Sequence, residues 1–238
     1  MHCHLDLYPN SLQLLNEVAR RNLFTLVVTT SPRAWLATSN VFSGHPNIEV
    51  GLGLHPEIVH LKHTERNILM DEIKNVRFVG EVGIDGSMEH KSTLEMQVSI
   101  FNDVLNECQL QGGKILSIHS RGATKHTLDL LDKYPQLGTP ILHWFSGTEK
   151  DLIRAVERGC WFSVGPVMLK SKKGLSLLSN MPLNRILPES DGPFAQIKNI
   201  PVMPWQAFDI TETIALSFNI SIAEARKNMT ANLRKLLF

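Results

Sequence analysis

The chain alternates short apolar runs, rich in β-branched residues, with longer segments whose apolar positions recur at helical spacing. This alternation is typical of βα units, in which helices cover a parallel sheet. The runs with strand character are Met1 to Leu5, Phe24 to Thr30, Ile48 to Leu54, Val76 to Val82, Lys114 to His119, Thr139 to His143, Trp161 to Val164, and Arg185 to Leu187. They predict a parallel sheet, although the first and last runs are too short to assign by pattern alone.

Three predicted helices have a recognisable start, where a side-chain oxygen can accept from backbone amides that lack a partner in the first turn. The starts are Ser92 with Glu95 and Ser221 with Glu224, each spaced as a capping box, and Ser31 before Pro32. After the first of these, apolar residues recur at Leu94, Val98, Phe101 and Leu105. These positions share one helical face, which predicts a helix packed against the sheet.

Length and composition favour a single domain over residues 1–238. The chain has 238 residues, of which 43% are hydrophobic and 20% charged, so it can bury a large core. Nothing in it has the composition of a linker, a low-complexity tract or a second domain. A TIM-type (β/α)8 barrel takes about 200–250 residues. We therefore predict the α/β class and this barrel architecture.

Charge and cysteine content narrow the classes of function. Lys plus Arg total 24 and Asp plus Glu total 23, so the chain lacks a strong positive field that would hold nucleic acid nonspecifically. Cys3, Cys108 and Cys160 are not spaced as a zinc ribbon or a redox pair, which suits reduced, buried thiols. No apolar segment approaches the ~18–20 residues needed to cross a bilayer. We expect a soluble cytoplasmic protein.

Side chains that can bind a metal ion fall where the predicted strands end. They are His2 and His4 at the first strand, His55 after the third, Glu81 on the fourth, His119 on the fifth, His143 on the sixth, and Asp191 after the eighth. In a closed parallel barrel the carboxyl ends of the strands meet at one rim, where barrel enzymes have their active sites. The sequence thus predicts that residues far apart along the chain share one pocket.

Each of these residues has an ordinary structural interpretation when it is taken alone. A histidine at a strand end is often a hydrogen-bonded core group, and Asp191 could cap a helix or a turn. His2 and His4 point to the same face of an extended strand, so both rings could reach one ion. Together the residues suit two bridged divalent ions that activate water for attack at phosphorus. Imidazole ligands favour zinc, manganese or iron over magnesium, while availability and geometry decide among them.

Five short segments form an ordered set along the chain. They are His2 to Asp6, Gly80 to Asp85, Ile118 to Arg121, His143 to Gly147, and Glu189 to Pro193. In order and spacing these segments resemble the successive signatures of the TatD-type deoxyribonucleases, and the likeness extends to the closing residues 232–238. The resemblance implies a metal-dependent DNase on a TIM barrel, commonly a 3′-to-5′ exonuclease that acts on single strands.

The same resemblance implies a division of roles. The implied ligands are His2, His4, Glu81 and Asp191 for one ion, and Glu81, His119 and His143 for the second. Glu81 would bridge the ions, and Asp191 would orient or deprotonate the attacking water. His55 would lie beside the scissile phosphate, unless it is a hydrogen-bonded structural histidine. Arg121 would bind a phosphate oxygen, unless it forms a surface ion pair.

The chain departs from the usual TatD pattern at three places. Only Met1 precedes His2, Trp144 stands where a small residue is usual, and Gly122 stands where an acidic residue is common. We therefore expect either a short first strand or a start further upstream, and an altered substrate fit. The chain is also similar to the TatD-like member of the four-gene Qat anti-phage systems, which implies defence-system protein partners. We expect a monomer that binds single-stranded DNA ends.

Basic and aromatic side chains near the predicted rim could contact nucleic acid. The candidates are Lys170, Lys172 and Lys173 after the seventh strand, together with Trp144, Trp161 and Phe194. The lysines form either a steering patch or an ordinary solvated loop. The aromatic rings could stack on bases, which gives a sequence-tolerant grip on a single strand, or they could pack in the barrel.

Two other functions stay open at this point. The His-x-His opening and the final aspartate equally suit an amidohydrolase that acts on an amide, a lactone or an aminoacyl ester. Against it, the fourth strand carries Glu81 and no lysine that could be carboxylated as a metal bridge. A barrel without catalytic activity could instead serve as a subunit of a defence complex, although none of the six predicted ligands is missing.

Overall fold

The computed structural model describes residues 1–238 and contains the eight predicted strands, all in parallel pairs. They are β1 (His2–Cys3), β2 (Thr25–Val28), β3 (Ile48–Gly51), β4 (Phe78–Gly83), β5 (Lys114–His119), β6 (Gly138–His143), β7 (Trp161–Val164) and β8 (Ile186–Pro188). Strands β1 to β3 form one hydrogen-bonded sheet and strands β4 to β8 form another, both in chain order.

Backbone hydrogen bonds join the two sheets at both edges and close the barrel. Between β3 and β4, the amide of Gly80 donates to the carbonyl of Leu52 at 2.8 Å. Between β8 and β1, the amides of Ser190 and Asp191 donate to the carbonyl of His2 at 3.3 and 3.2 Å. The predicted TIM-type barrel is confirmed. Because all its strands run the same way, their carboxyl ends form one rim.

Helices cover the outside of the barrel. They are α1 (Ser11–Arg20), α2 (Pro32–Phe42), α3 (Val59–Lys62), α4 (Arg66–Ile73), α5 (Leu94–Gln111), α6 (Thr124–Leu131), α7 (Glu149–Glu157), α8 (Lys172–Asn180), α9 (Thr211–Phe218) and α10 (Ile222–Leu237). A hairpin of β9 (Gln196–Ile197) and β10 (Ile200–Pro201) follows β8. The largest hydrophobic core, 38 buried residues, lies between strands and helices. None of the helices is both long and apolar enough to span a membrane.

Two of the three predicted helix starts are confirmed. Ser221 accepts from the amide of Glu224 at 3.2 Å, and the Glu224 carboxylate accepts from the Ser221 amide at 2.9 Å. Ser31 accepts from an amide in the first turn of α2 at 3.3 Å. The predicted capping box at Ser92 is wrong, because Met88–Thr93 forms a 3-10 helix that leads directly into α5. The first turn of α5 therefore follows helical backbone and has no side-chain cap.

The stripe on α5 and most strand positions agree with the predictions. Phe101 and Leu105 are fully buried, and Leu94 and Val98 pack partly buried against the main core. Strand boundaries differ by a few residues. The largest difference at one end is at β3, which ends at Gly51 and not at Leu54. β1 ends at Cys3 because the next residues turn into a 3-10 helix at Leu5–Leu7.

The amino-terminal end of the barrel is filled by apolar side chains. A second cluster of nine buried residues closes this end, among them Met1, Phe78, Trp161 and Leu236. Trp161 is the first residue of β7, so it lies at the end opposite the rim. Of the two alternatives for Trp161, base stacking and packing, the structure has packing, because the indole lies among the apolar side chains at the amino-terminal end of the barrel.

Candidate active site

The seven strand-end residues converge at the carboxyl rim as predicted. His2, His4, His55, Glu81, His119, His143 and Asp191 are all buried, with their donor atoms facing one another. Within this cluster, three groups have mutually close ligand atoms, all within 4.8 Å. The groups are His2 with Glu81 and His143, His2 with His4 and Asp191, and His55 with Glu81 and His119. The structure thus brings together residues from six strands or the loops that follow them.

Glu81 lies at the centre of the cluster, with each carboxylate oxygen facing different imidazoles. Oε2 lies 3.0 Å from Nε2 of His4 and 3.4 Å from Nε2 of His2. Oε1 lies 2.8 Å from Nδ1 of His119, 3.0 Å from Nε2 of His143 and 3.1 Å from Nε2 of His55. The carboxylate therefore divides the histidines into two sets, one on each oxygen.

The surroundings of His2 fit a metal ion. Its Nδ1 lies 2.8 Å from the hydroxyl oxygen of Ser117, which orients the ring. Its Nε2 is buried, makes no hydrogen bond, and lies 3.3 Å from Asp191 Oδ1 and 3.4 Å from Glu81 Oε2. A ring nitrogen left without a hydrogen bond among carboxylate oxygens is in the position of a metal ligand, and a polar partner on the other nitrogen is usual for such histidines. The donor set therefore fits a divalent cation.

Two glycines allow Glu81 to occupy this position. The pairing of β4 with β5 shifts register between Val79 and Val82, which takes Glu81 out of the regular ladder. A side chain at Gly53 would place its first carbon 2.4 Å from the amide nitrogen of Glu81. One at Gly80 would lie 2.9 Å from Cβ of Ser117. Any larger residue at Gly53 would displace Glu81, since this approach is far below van der Waals contact.

Two buried carboxylates lie next to the ring nitrogens of His119 and His143 that do not face Glu81. Asp85 Oδ2 lies 2.7 Å from Nε2 of His119, and Glu189 Oε2 lies 3.5 Å from Nδ1 of His143. Both acids belong to the five segments that resemble the TatD signatures, but the strand-end pattern does not point to them. The sequence shows that these segments contain acids. It does not show which acids face the centre of the cluster, as Glu81 and Asp191 do, and which lie next to a histidine, as Asp85 and Glu189 do.

The charges of the site favour bound cations. Burial by itself raises the pKa of Glu81, but the imidazoles of His55, His143 and His2 hold that pKa well below its usual value. Burial lowers the pKa of His143, but Glu81 and Glu189 outweigh it and raise the pKa well above the ordinary value. The cluster thus stabilises positive charge beside an ionised carboxylate. Divalent cations displace such protons when they bind.

A cavity of about 820 Å³ opens above the cluster. Its walls include Arg121, Lys173, Trp144 and Phe194, so these predicted contact residues do lie at the rim. The Arg121 side chain is 62% exposed, and its Nη1 lies 3.9 Å from the Glu57 carboxylate, so it is only loosely held. Of the three lysines after β7, Lys173 alone lines the cavity. The other two are exposed outside it, but they do not lie in a loop, since Lys170 ends a 3-10 helix at Met168–Lys170 and Lys172 begins α8.

The barrel and this site together define the class of the protein. A buried cluster of histidines around a carboxylate, at the carboxyl rim of a (β/α)8 barrel, is the site of a metal-dependent hydrolase of TIM-barrel type. Across residues 1–238 the chain matches the family described as TatD related DNase. The chain belongs to this family.

Comparison with known proteins agrees with this assignment. The chain is 26% identical to human deoxyribonuclease TATDN3, over 99% of this chain and 92% of the human protein. It is also 26% identical to a 3′-5′ ssDNA/RNA exonuclease TatD from Enterobacter lignolyticus, over 64% of this chain and 60% of that protein. The crystal structure of the TatD homologue YJJV from Escherichia coli K12 has the same fold. Its TM-score is 0.87 at 21% identity, with 99% and 96% of the two chains covered.

Proposed function

We propose that this chain hydrolyses DNA phosphodiester bonds with two divalent metal ions and removes nucleotides from the 3′ ends of single strands. The observation that carries the proposal is the division of histidines between the two oxygens of Glu81. A carboxylate in this arrangement can bind one cation through each oxygen.

The proposed ligands follow this division. His2, His4, Glu81 and Asp191 would hold one ion, and Glu81, His119 and His143 the other. When bound, such ions would polarise phosphoryl oxygens and lower the pKa of a water molecule, so that it can give up a proton and attack phosphorus. Zinc and manganese suit the imidazoles best, and magnesium is the third candidate.

Asp191 would accept the proton of the attacking water. It is buried, its Oδ1 lies 3.3 Å from Nε2 of His2, and it lines the open cavity. Burial raises the pKa of Asp191, but the imidazoles of His2 and His143 outweigh this and lower the pKa. The group is therefore ionised and can accept a proton, provided that water lies within hydrogen-bond reach.

His55 and Arg121 would bind the phosphate that is cleaved. His55 Nε2 lies 3.1 Å from Glu81 Oε1, and both residues line the cavity. Burial lowers the pKa of His55, although the Glu81 carboxylate opposes this effect. His55 therefore acts mainly as a neutral hydrogen-bonding ring. Arg121, with its exposed guanidinium, supplies the positive charge for a phosphate oxygen at the mouth of the cavity.

Charge favours single strands over duplex DNA. Lys plus Arg exceed Asp plus Glu by only one, 24 against 23, so the surface offers little counterion release to a long duplex. The active site at the rim of the barrel can instead bind one phosphate at the end of a DNA strand. The related protein from Enterobacter lignolyticus is named a 3′-5′ ssDNA/RNA exonuclease, which supports the same polarity here and adds RNA as a second substrate. A role in anti-phage defence, with protein partners, stays a prediction of the sequence resemblance.

The test is a time course on end-labelled oligonucleotides with metal analysis of the same sample. We expect about two divalent ions per chain, and faster loss of label from the 3′ end of single-stranded DNA than of duplex. Manganese, magnesium and zinc are compared in turn, and single-stranded RNA is assayed beside DNA. Preference for duplex, one ion per chain, or hydrolysis only of an aminoacyl amide would contradict the proposal, the last in favour of a deacylase.

A further inference from the structure

Trp144 is the large side chain that the sequence places directly after the site histidine of β6, and its backbone is unusual. Its φ is +40°, in the left-handed region that bulky residues rarely adopt. Asparagine or glycine would take this conformation at lower cost. Backbone outliers of this kind persist only where neighbouring groups hold them, and they cluster at functional sites.

Two acceptors hold the Trp144 backbone in place. Its amide lies 3.2 Å from the carbonyl oxygen of Ser163 and 3.1 Å from Oε1 of Glu189. Glu189 is fully buried, and its other oxygen accepts from the Ser163 hydroxyl. The same carboxylate lies beside His143. A single buried carboxylate thus holds the backbone of Trp144 and lies 3.5 Å from Nδ1 of the site histidine that precedes it.

The indole of Trp144 forms part of the wall of the active-site cavity. It is only partly buried, with one portion packed against the main core. Lys173 and Ser146 line the same cavity, and the Lys173 ammonium donates to the Ser146 carbonyl at 2.5 Å. Phe194, which is 61% exposed, lines the same cavity, with its ring 4.9 Å from that of His4. The cavity mouth therefore combines aromatic faces with a cation.

This combination suits a nucleotide. A cavity of about 820 Å³ has the size of a small-molecule site, which typically measures about 300–1,000 Å³. It can take an unpaired nucleotide but not an intact duplex. The cations face phosphate, while an aromatic ring offers a stacking surface that every base can use.

We propose that Trp144 stacks on the base next to the scissile phosphate and thereby selects unpaired ends. This inference rests on the proposed nuclease function and adds to it a residue that determines specificity. A base within a duplex is already stacked and paired, so it would have to be extruded before it could reach the indole. Glu189 acts as a positioning residue, since it fixes the turn from which the indole projects.

Binding measurements separate stacking from general packing. Two eight-nucleotide single strands are compared, with phosphorothioate linkages that resist hydrolysis. One is all thymidine, and the other has abasic sites at its last two 3′ positions. Trp144→Asn keeps the left-handed backbone and removes the ring, whereas Trp144→Phe keeps a ring. Trp35→Phe, on α2 away from the rim, is the matched control.

We expect Trp144→Asn to weaken binding of the thymidine strand about 10-fold, as loss of one stacked base does. Binding of the abasic strand should change little, and Trp144→Phe should retain most of the affinity. The thymidine strand should also quench protein fluorescence in the wild type and in Trp35→Phe, but much less in Trp144→Phe. Thermal unfolding checks that each variant is folded.

Equal weakening for both strands would overturn the stacking role, as would unchanged affinity in Trp144→Asn. Quenching that persists in Trp144→Phe would assign the contact to another tryptophan and overturn the inference too. If the wild-type protein hydrolyses neither DNA nor RNA, the proposed nuclease function fails before the stacking role of Trp144 is tested. That result contradicts the proposed function and is seen before any variant is compared.

Discussion

Asp85 holds His119 through one ring nitrogen, at 2.7 Å between Oδ2 and Nε2, while the other nitrogen lies 2.8 Å from Glu81. Burial raises the pKa of Asp85, but hydrogen bonds from His119 and Ser87 lower it further than burial raises it. An ionised carboxylate can only accept, so Nε2 carries the proton. Nδ1 faces the ionised Glu81, so without metal it carries a proton as well. When a cation displaces that proton, the lone pair on Nδ1 would face the proposed metal position.

We therefore predict that Asp85→Ala weakens divalent metal binding by about 10- to 100-fold, as loss of such a supporting group does. Competition titration with a zinc or manganese chelator measures the affinity. Asp71→Ala, an exposed residue on α4, is the control and should match the wild type. Wild-type affinity in Asp85→Ala would show that His119 does not bind metal in the orientation found here.

Glu81→Gln should abolish most hydrolysis while the chain still folds. The amide is nearly the same size as the carboxylate but lacks the charge that both proposed ions require. Since a bound metal supplies several kcal/mol of transition-state stabilisation, we expect kcat to fall at least about 100-fold.

Circular dichroism and a cooperative thermal transition check the fold of Glu81→Gln. The exposed Glu95→Gln on α5 should keep both activity and melting temperature. Loss of structure in step with loss of activity would instead make Glu81 a folding residue.

Arg121→Ala should raise KM more than it lowers kcat. The guanidinium is mostly exposed at the mouth of the cavity and lies 3.9 Å from Glu57. Its loss should therefore leave the fold of the free protein unchanged. A charge-assisted hydrogen bond to phosphate is worth about 1.5–3 kcal/mol, so KM should rise about 10-fold or more. Steady-state kinetics on a single strand separates the two constants.

Arg20→Ala is the control for Arg121→Ala, because Arg20 is exposed on α1 and pairs only with Glu17. Both of its constants should remain at wild-type values. A fall in kcat with unchanged KM in Arg121→Ala would mean that the guanidinium acts only in the transition state.

Asn232→Ala should destabilise the whole domain. The side-chain amide of Asn232 donates to the carbonyls of Leu183 and Ile186, each at 2.8 Å, and so ties α10 to β8. Removal leaves both acceptors without this partner. We expect a loss of about 1–3 kcal/mol in the free energy of unfolding.

Urea denaturation of the metal-free protein measures the effect of Asn232→Ala. Asn228→Ala on the same helix is the control, since its amide donates to Glu224 on the exposed face. Equal midpoints for the two variants would contradict the role given to Asn232.

The sequence pattern by itself determined the architecture and the place of the site. Alternating strand and helix signals require a covered parallel sheet, and parallel strands bring their carboxyl ends to one rim. The sequence therefore predicts that residues as distant as His2 and Asp191 share one pocket. The apolar stripe on α5 was also readable, because helical spacing alone puts its residues on one face.

Only the tertiary structure decided what each polar group faces. Asp85 and Glu189 are acids in the same segments as Glu81 and Asp191, yet they support histidines from behind, since strand register and local turns set their direction. Patterns record residue type and spacing along the chain. Side-chain direction and contacts across strands are fixed only when the barrel closes.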